Sequence, residues 1–260
     1  MSALAGFRIL LSKELREAWR TRRLPLVGML FLVVGLLSPL TARYLPEILK
    51  AALGDQLTVP IPDPTAAAAL EQLQKNIGQL ATLAAIALAM GAVAGELDKG
   101  TAALVLAQPV SRTAFIAAKL AALAVVLAVS TILAVAVAWA YTAILFEPLP
   151  VGGWVALAFL DWLALMAWMS LTFLASAATG STTAAAGLGF LGWIVISLLA
   201  VVPALERVLP SGLTAPAALL AAGTTDGLDA GRLATAVAGT AVLVLAGAAG
   251  AVLAFRRREL

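Results

Sequence analysis

Long, uninterrupted apolar stretches constrain the fold of this chain more than any other feature of its sequence. The stretches that begin at Ile77, Thr113 and Thr183 carry one charge or none over roughly 18 residues or more, which is about the length a helix needs to cross the hydrocarbon core of a bilayer. The strands of a membrane barrel alternate apolar and polar residues instead. The sequence therefore predicts an all-α integral membrane protein.

Six transmembrane helices in one domain, residues 1–260, are predicted. The spans are 24–41, 77–94, 113–146, 154–178, 183–202 and 231–255. The segments outside them are an N-terminal helix within 1–23, an outer loop at 43–76, a loop at 96–112, an outer segment at 203–230 and a tail at 256–260. The outer loop either covers the exit of a pathway or is a spacer, and the sequence leaves both open.

The basic residues predict the orientation. In a six-span arrangement most of the 17 basic residues fall on one side: Arg8, Lys13, Arg16, Arg20, Arg22, Arg23, Lys99, Arg112, Lys119 and Arg256 to Arg258. Since Lys and Arg are enriched in cytoplasmic loops, a multi-pass protein of the cell membrane is expected, with both termini in the cytoplasm. The same rule explains the basic pI near 9.6 without a nucleic-acid partner.

The N-terminal segment is too charged to span a membrane. Phe7, Leu11, Leu15, Ala18 and Trp19 recur at helical spacing, and the charged residues assigned to this helix are Lys13, Glu14, Arg16 and Arg20. This pattern predicts an amphipathic helix in the interface, with Trp19 at the depth of the lipid headgroups. A plain cytoplasmic tail is the alternative.

Two further expectations concern the spans themselves. The fifth span begins with small residues, among them Ala184, Gly187 and Gly189. Small residues let helix backbones approach closely, so this span is expected to be buried against protein. The fourth span contains Asp161, a carboxylate that is costly inside a membrane. It either contacts a substrate or a proton pathway, or it makes a structural hydrogen bond. Met166 and Met169 are read as packing residues.

Several chemistries are excluded by composition. The chain has no Cys and no His, which removes disulfides, thiol or Ser-His catalysis, and most zinc and copper sites. No Gly-x-x-x-x-Gly-Lys-Ser/Thr phosphate loop is present, so the chain does not bind ATP through that device. No enzyme activity, metal or cofactor is predicted on this chain.

The loop at 96–112 is unusually structured for a simple crossing. It begins with the charged stretch Glu96, Asp98 and Lys99, continues through Gly100 and Thr101 into a short apolar helix containing Leu104 and Leu106, and ends near Pro109 and Arg112, with Ser111 as a helix cap. The central helix is placed at 101–107. A short apolar helix flanked by charges is typical of a surface that docks onto another protein.

This loop resembles the signature loop of ABC-2 type permeases, the membrane subunits of ATP-binding-cassette exporters. The residues that carry the resemblance run from Glu96 through Gly100-Thr101, Leu104, Leu106 and Pro109 to Arg112, followed by Lys119-Leu120. The segment 11–22 looks like the elbow helix that precedes the first span in that family.

The resemblance implies a mechanism. The loop after the second span would be the coupling helix, which inserts into a groove of a separate nucleotide-binding ATPase subunit. ATP and Mg²⁺ would bind on that partner, and two permease chains, identical or related, would pair around the substrate path. An ion-driven secondary transporter and a non-transporting membrane scaffold are the competing hypotheses. The apolar spans favour a hydrophobic or amphiphilic substrate without identifying it.

Overall fold

The protein, described here by a computed structural model, is a bundle of long helices. The structure describes residues 3–53, 63–108 and 110–258, and within these ranges it contains no strand. The helices are α1 Ala3–Arg20, α2 Arg23–Leu53, α3 Ala66–Asn76, α4 Thr82–Met90, α5 Ala94–Asp98, α6 Thr101–Leu106, α7 Arg112–Leu145, α8 Val151–Thr179, α9 Thr182–Leu199, α10 Pro203–Glu206, α11 Thr214–Ala221 and α12 Ala230–Arg256.

Six helical segments of the described chain are long and apolar enough to cross a membrane, as predicted. The second of them, Ala66–Asp98, combines α3, a π-helical turn at Ile77–Ala81, α4 and α5. The others are α2, α7, α8, α9 and α12. Helix α1 and the end of α12 lie at the same end of the bundle, since Lys119 near the start of α7 contacts Glu14 of α1 and Arg112 at the start of α7 contacts the end of α12. We call this the terminal end.

The segment predicted as an outer loop, 43–76, is helical at both ends. Residues 43–53 continue α2, and residues 66–76 form α3. Pro39 and Pro46 lie inside α2, and membrane helices tolerate proline where side chains re-satisfy the freed backbone groups. The segment contains residues outside the described ranges. Thr65 caps the start of α3, because its side chain accepts a hydrogen bond from the Ala68 amide.

Helix α8 forms the centre of the bundle and packs against α4, α7, α9, α11 and α12. Close helix contacts depend on small residues. A side chain at Gly35 on α2 would lie 2.2 Å from the carbonyl oxygen of Ala134 on α7, so only glycine permits this approach. The predicted outer segment folds back as a 3₁₀ turn, Pro210–Leu213, and α11, whose Ala217 and Ala221 are buried.

The expectation that the fifth span is buried against protein is wrong for a single chain. Only Ala185 and Gly189 of α9 are fully buried, while Ala184, Gly187 and Leu188 are exposed. Small residues permit close approach, but they do not specify which helix approaches. The face of α9 that carries Ala184, Gly187, Leu188 and Leu191 is called the open α9 face below.

Candidate functional site

The loop between the second and third spans consists of two short helices that meet at Gly100. Helix α5 ends at Asp98 and α6 begins at Thr101. Gly100 has a φ of 67°, which glycine adopts without the steric penalty of a Cβ atom. The Thr101 hydroxyl donates to the carbonyl oxygen of Glu96 at 3.2 Å, which ties the start of α6 to α5.

Helix α6 divides its residues between the bundle and the surface. Ala102 is buried, and Val105 and Leu106 pack partly against the core. Leu104 is 72% exposed, and Asp98 and Lys99 at the start of the helix are also exposed. A large apolar side chain is thus held outward on an anchored helix. Pro109 lies outside the described residues.

A cluster of five charged side chains lies beneath this loop. Lys119 of α7 is 4% exposed, and its Nζ lies 3.0 Å from Glu14 Oε1 and 2.5 Å from Glu96 Oε1. Lys13 contacts the same Glu14 oxygen at 3.0 Å, Glu17 at 3.2 Å and Glu96 at 3.4 Å. We call these residues the ion cluster. It joins α1, the start of the loop and α7.

The ion cluster shifts the pKa values of Lys13 and Glu17, its more accessible members. Partial burial disfavours the charged form of Lys13, but the hydrogen bond and charge of Glu14, with the charges of Glu96 and Glu17, outweigh it and raise the pKa of Lys13 above its usual range. Burial likewise opposes ionisation of Glu17, yet the Lys13 ammonium lowers the Glu17 pKa. The geometry therefore favours the ionised forms of Lys13 and Glu17.

Carboxylate oxygens of Glu14, Glu17 and Glu96 lie within 4.8 Å of one another, a spacing that in other settings suits a metal ion. Here Lys13 and Lys119 already pair with these carboxylates. We therefore assign the cluster an ionic role between helices and no metal.

The Arg112 side chain makes hydrogen bonds within the chain. Its guanidinium donates to the carbonyl oxygens of Arg256 at 3.1 Å and Arg258 at 2.6 Å, which satisfies groups at the end of α12. The Arg258 guanidinium in turn donates to the Ala178 carbonyl at 3.2 Å. Ser111 caps α7 by accepting from the Ala114 amide at 3.1 Å, as the sequence predicts.

Ser176 connects the loop to α8. Its buried hydroxyl donates to the Met90 carbonyl at 2.8 Å and accepts from the amides of Val93 at 3.3 Å and Ala94 at 3.0 Å. These backbone groups lie at the break between α4 and α5, where the helical pattern leaves them without partners. Ser176 therefore fastens the start of the loop to the central helix.

Asp161 lies far from this loop, in α8. It is 4% exposed, and the side-chain amide of Gln74 on α3 donates to its two carboxylate oxygens at 3.1 and 3.4 Å. A hydrogen bond between helices is therefore present at Asp161.

The N-terminal helix packs on the bundle along one face. Leu10, Glu14 and Ala18 are buried, Phe7 and Leu11 are partly buried, and Trp19 is 66% exposed. Arg16 and Arg20 are exposed. Glu14 lies on the buried face, where it reaches Lys119.

Of the predicted loop and elbow residues, the structure brings together Lys13, Glu14 and Glu96. It leaves Asp98, Lys99, Leu104, Arg16, Trp19 and Arg20 at the surface. Lys119 and Ser176 were not predicted from the sequence to hold the loop against the spans. A lone cation within an apolar span was a usable signal for Lys119, whereas nothing distinguishes Ser176 from other small polar residues.

Comparisons with known proteins give a family match and a curated relative. Residues 8–259 match the family model described as ABC-2 family transporter protein. The chain is also 29% identical over 140 residues to the uncharacterized transmembrane protein YxlG of Bacillus subtilis (strain 168). That match covers 53% of this chain and 54% of the relative, so the chain spans about half the length of the curated relative it matches.

Proposed function

The chain belongs to the ABC-2 family of transporter proteins, and from that premise we propose that it is the membrane subunit of an ATP-driven exporter whose ATPase docks on α6. The observation that carries this proposal is the outward Leu104, 72% exposed on a helix otherwise anchored to the bundle. An apolar side chain held in this way suits insertion into a groove of a partner. ATP and Mg²⁺ would be bound by that partner.

Movement of α6 reaches the spans by three routes under this proposal. Glu96 contacts Lys119 and so moves α7. Lys13 and Glu14 carry the same ion cluster into α1. Ser176 of α8 accepts a hydrogen bond from the Ala94 amide at the start of the loop. An ATPase that closes on ATP would thereby pull on three helices through charged or hydrogen-bonded contacts.

The orientation follows from the same docking. A cytoplasmic ATPase requires α6 in the cytoplasm, which puts the terminal end on the cytoplasmic side of the cell membrane. The concentration of basic residues at this end supports that placement.

A second permease chain completes the proposed transporter. The open α9 face supports this part of the proposal, because small residues there permit a close helix contact that a single chain leaves unused. Substrate would pass between the two chains.

The first test is whether a gene adjacent to this one encodes a phosphate-loop ATPase, and the second is reconstitution of the chain with that ATPase. We expect the two proteins to co-purify, and we expect transport in vesicles to require ATP. Failure to co-purify, together with transport driven by an ion gradient without nucleotide, would instead identify a secondary transporter. ATPase binding without any transport would identify a scaffold.

A further inference from the structure

A cavity with several polar residues in its walls lies in the described part of the bundle, open on one side and away from the loop. It has a volume of about 190 Å³ and is bounded by α3, the π-helical turn, α8, α9 and the outer 3₁₀ turn. Its walls include the polar side chains of Gln74, Thr82, Asp161, Ser197, Ser211 and Thr214. Such a concentration of polar groups among apolar spans is expensive and usually marks a functional position.

The Asp161 carboxylate can accept further hydrogen bonds from a molecule in this cavity. Its described partner is the amide of Gln74, which is neutral. An ionised carboxylate accepts roughly four hydrogen bonds, and a buried charge is costly unless an opposite charge pairs with it. A cation in the cavity would supply both the donors and the charge that Gln74 lacks. The Ser211 hydroxyl, which also borders the cavity, is buried without a hydrogen-bond partner.

The second span, which borders the cavity opposite Asp161, departs from regular α-helical geometry there. Residues Ile77–Ala81 form a π-helical turn, in which the Thr82 hydroxyl donates to the Ile77 carbonyl at 3.4 Å. Such turns occur frequently at functional sites because they displace backbone groups from the helical ladder. Gly78 adds room, since a side chain at this position would meet nothing within 4 Å.

The remaining walls indicate which kind of cation fits. Trp168 and Trp193 line the cavity, and the faces of Trp rings attract organic cations. A divalent metal such as Ca²⁺ takes about six to eight oxygen ligands, and Asp161 is the one carboxylate among the cavity walls. The volume suits a small organic molecule, since a cavity of about 150 Å³ holds benzene.

We propose that this cavity binds a small organic ammonium ion, with Asp161 as its counter-ion and Trp168 and Trp193 as aromatic walls. Gln74 positions the carboxylate from α3. The proposal concerns ligand binding by the permease chain alone and does not depend on an ATPase partner.

The probe is radiolabelled benzylamine, which is protonated at neutral pH, and its neutral analogue is benzyl alcohol. Binding is measured by equilibrium dialysis with the full chain in lipid nanodiscs, against empty nanodiscs. We expect saturable binding of benzylamine that benzyl alcohol displaces poorly. Asp161→Asn should weaken binding at least tenfold, since Asn retains an oxygen for Gln74 but carries no charge. Trp193→Ala should weaken it several-fold.

Asp226→Asn is the matched control, because Asp226 is an exposed carboxylate outside the cavity, and its binding should equal that of the wild type. The proposal is overturned if benzylamine binds no more than to empty nanodiscs, or if Asp161→Asn binds as the wild type does. Equal displacement by benzyl alcohol also overturns it, since that result describes a merely apolar cavity. Should Asp161→Asn fail to purify, Trp193→Ala and the alcohol competition decide the question.

Discussion

Lys119 on α7 and Glu14 on α1 form an ion pair of 3.0 Å between residues 105 positions apart. Removing one member of a buried pair leaves its partner charged and unpaired, at a cost of about 3 to 5 kcal/mol. We therefore expect Lys119→Met to lower the thermal stability of the purified protein by about 3 kcal/mol, measured as a fall in Tm.

Lys75→Met is the control for that measurement. Lys75 pairs with Glu71 at 2.7 Å, but both side chains are largely exposed, so its loss should cost less than about 1 kcal/mol. Equal shifts in Tm for the two variants would contradict a structural role of the ion cluster.

Leu104→Asp tests the docking surface. Leu104 is mostly exposed, so a charge there leaves the bundle intact, while a charge driven into an apolar groove of the partner is strongly unfavourable. We expect insertion and Tm to be unchanged and stimulation of the partner's ATP hydrolysis to be lost. Leu205→Asp, an exposed leucine of the outer segment, should leave stimulation intact. Normal stimulation by Leu104→Asp would remove α6 from the docking site.

Ser176→Ala tests the attachment of the loop to α8. The substitution deprives the Met90 carbonyl and the Val93 and Ala94 amides of their side-chain partner. Each buried group left unsatisfied costs about 1 to 3 kcal/mol, so the variant should be destabilised by about 2 kcal/mol or more. Hydrogen exchange at the Val93 and Ala94 amides should also accelerate.

Ser130→Ala is the appropriate comparison for Ser176→Ala. The Ser130 hydroxyl is buried on α7 and has no hydrogen-bond partner among the described residues, so its removal should be neutral or stabilising. If both alanine variants behave alike, the three bonds of Ser176 contribute nothing specific.

Single cysteines on α9 test the pairing of two chains. The protein has no Cys, so Leu191→Cys, at a position 55% exposed, introduces a unique thiol. We expect oxidation in membranes to give a disulfide-linked dimer on a denaturing gel. Val242→Cys, similarly exposed on α12, should remain monomeric. Cross-linking through Val242 and not through Leu191 would place the interface elsewhere.

The ion cluster predicts a dependence of stability on pH. The Glu17 pKa lies below 4.5 in the folded state, so its stabilising contribution is complete above pH 4.5 and is lost as the pH falls through the lowered pKa. The Lys13 pKa lies above 10.5, so its contribution is complete below that pH and is lost as the pH rises through the raised value. We expect Glu17→Gln to have a lower Tm than the wild type at about pH 7 and a nearly equal Tm at about pH 3. A difference that persists in acid would exclude ionisation of Glu17 as its cause.

Local features of this chain were predictable from its sequence. The caps at Thr65 and Ser111 depend on a side chain and an amide three residues away, and the spans depend on continuous hydropathy. Charge pairing was not predictable, because Lys13, Glu14, Glu96 and Lys119 come from three segments whose rotation about their axes decides which charges meet. Gln74 and Asp161 are likewise 87 residues apart, and composition does not reveal their contact. The small residues of α9 indicated a close neighbour, but within the single chain only Ala185 and Gly189 of this helix are buried.

The bonds of Ser176 limit which helices can move independently. Because its hydroxyl holds both the last carbonyl of α4 and the first amides of α5, the second and fourth spans are joined at the terminal end. Lys119 instead contacts the loop through a flexible four-carbon side chain, so its ion pairs can persist through a change of angle. A displacement of α6 would therefore carry the second and fourth spans as one unit, while the third span could tilt against them.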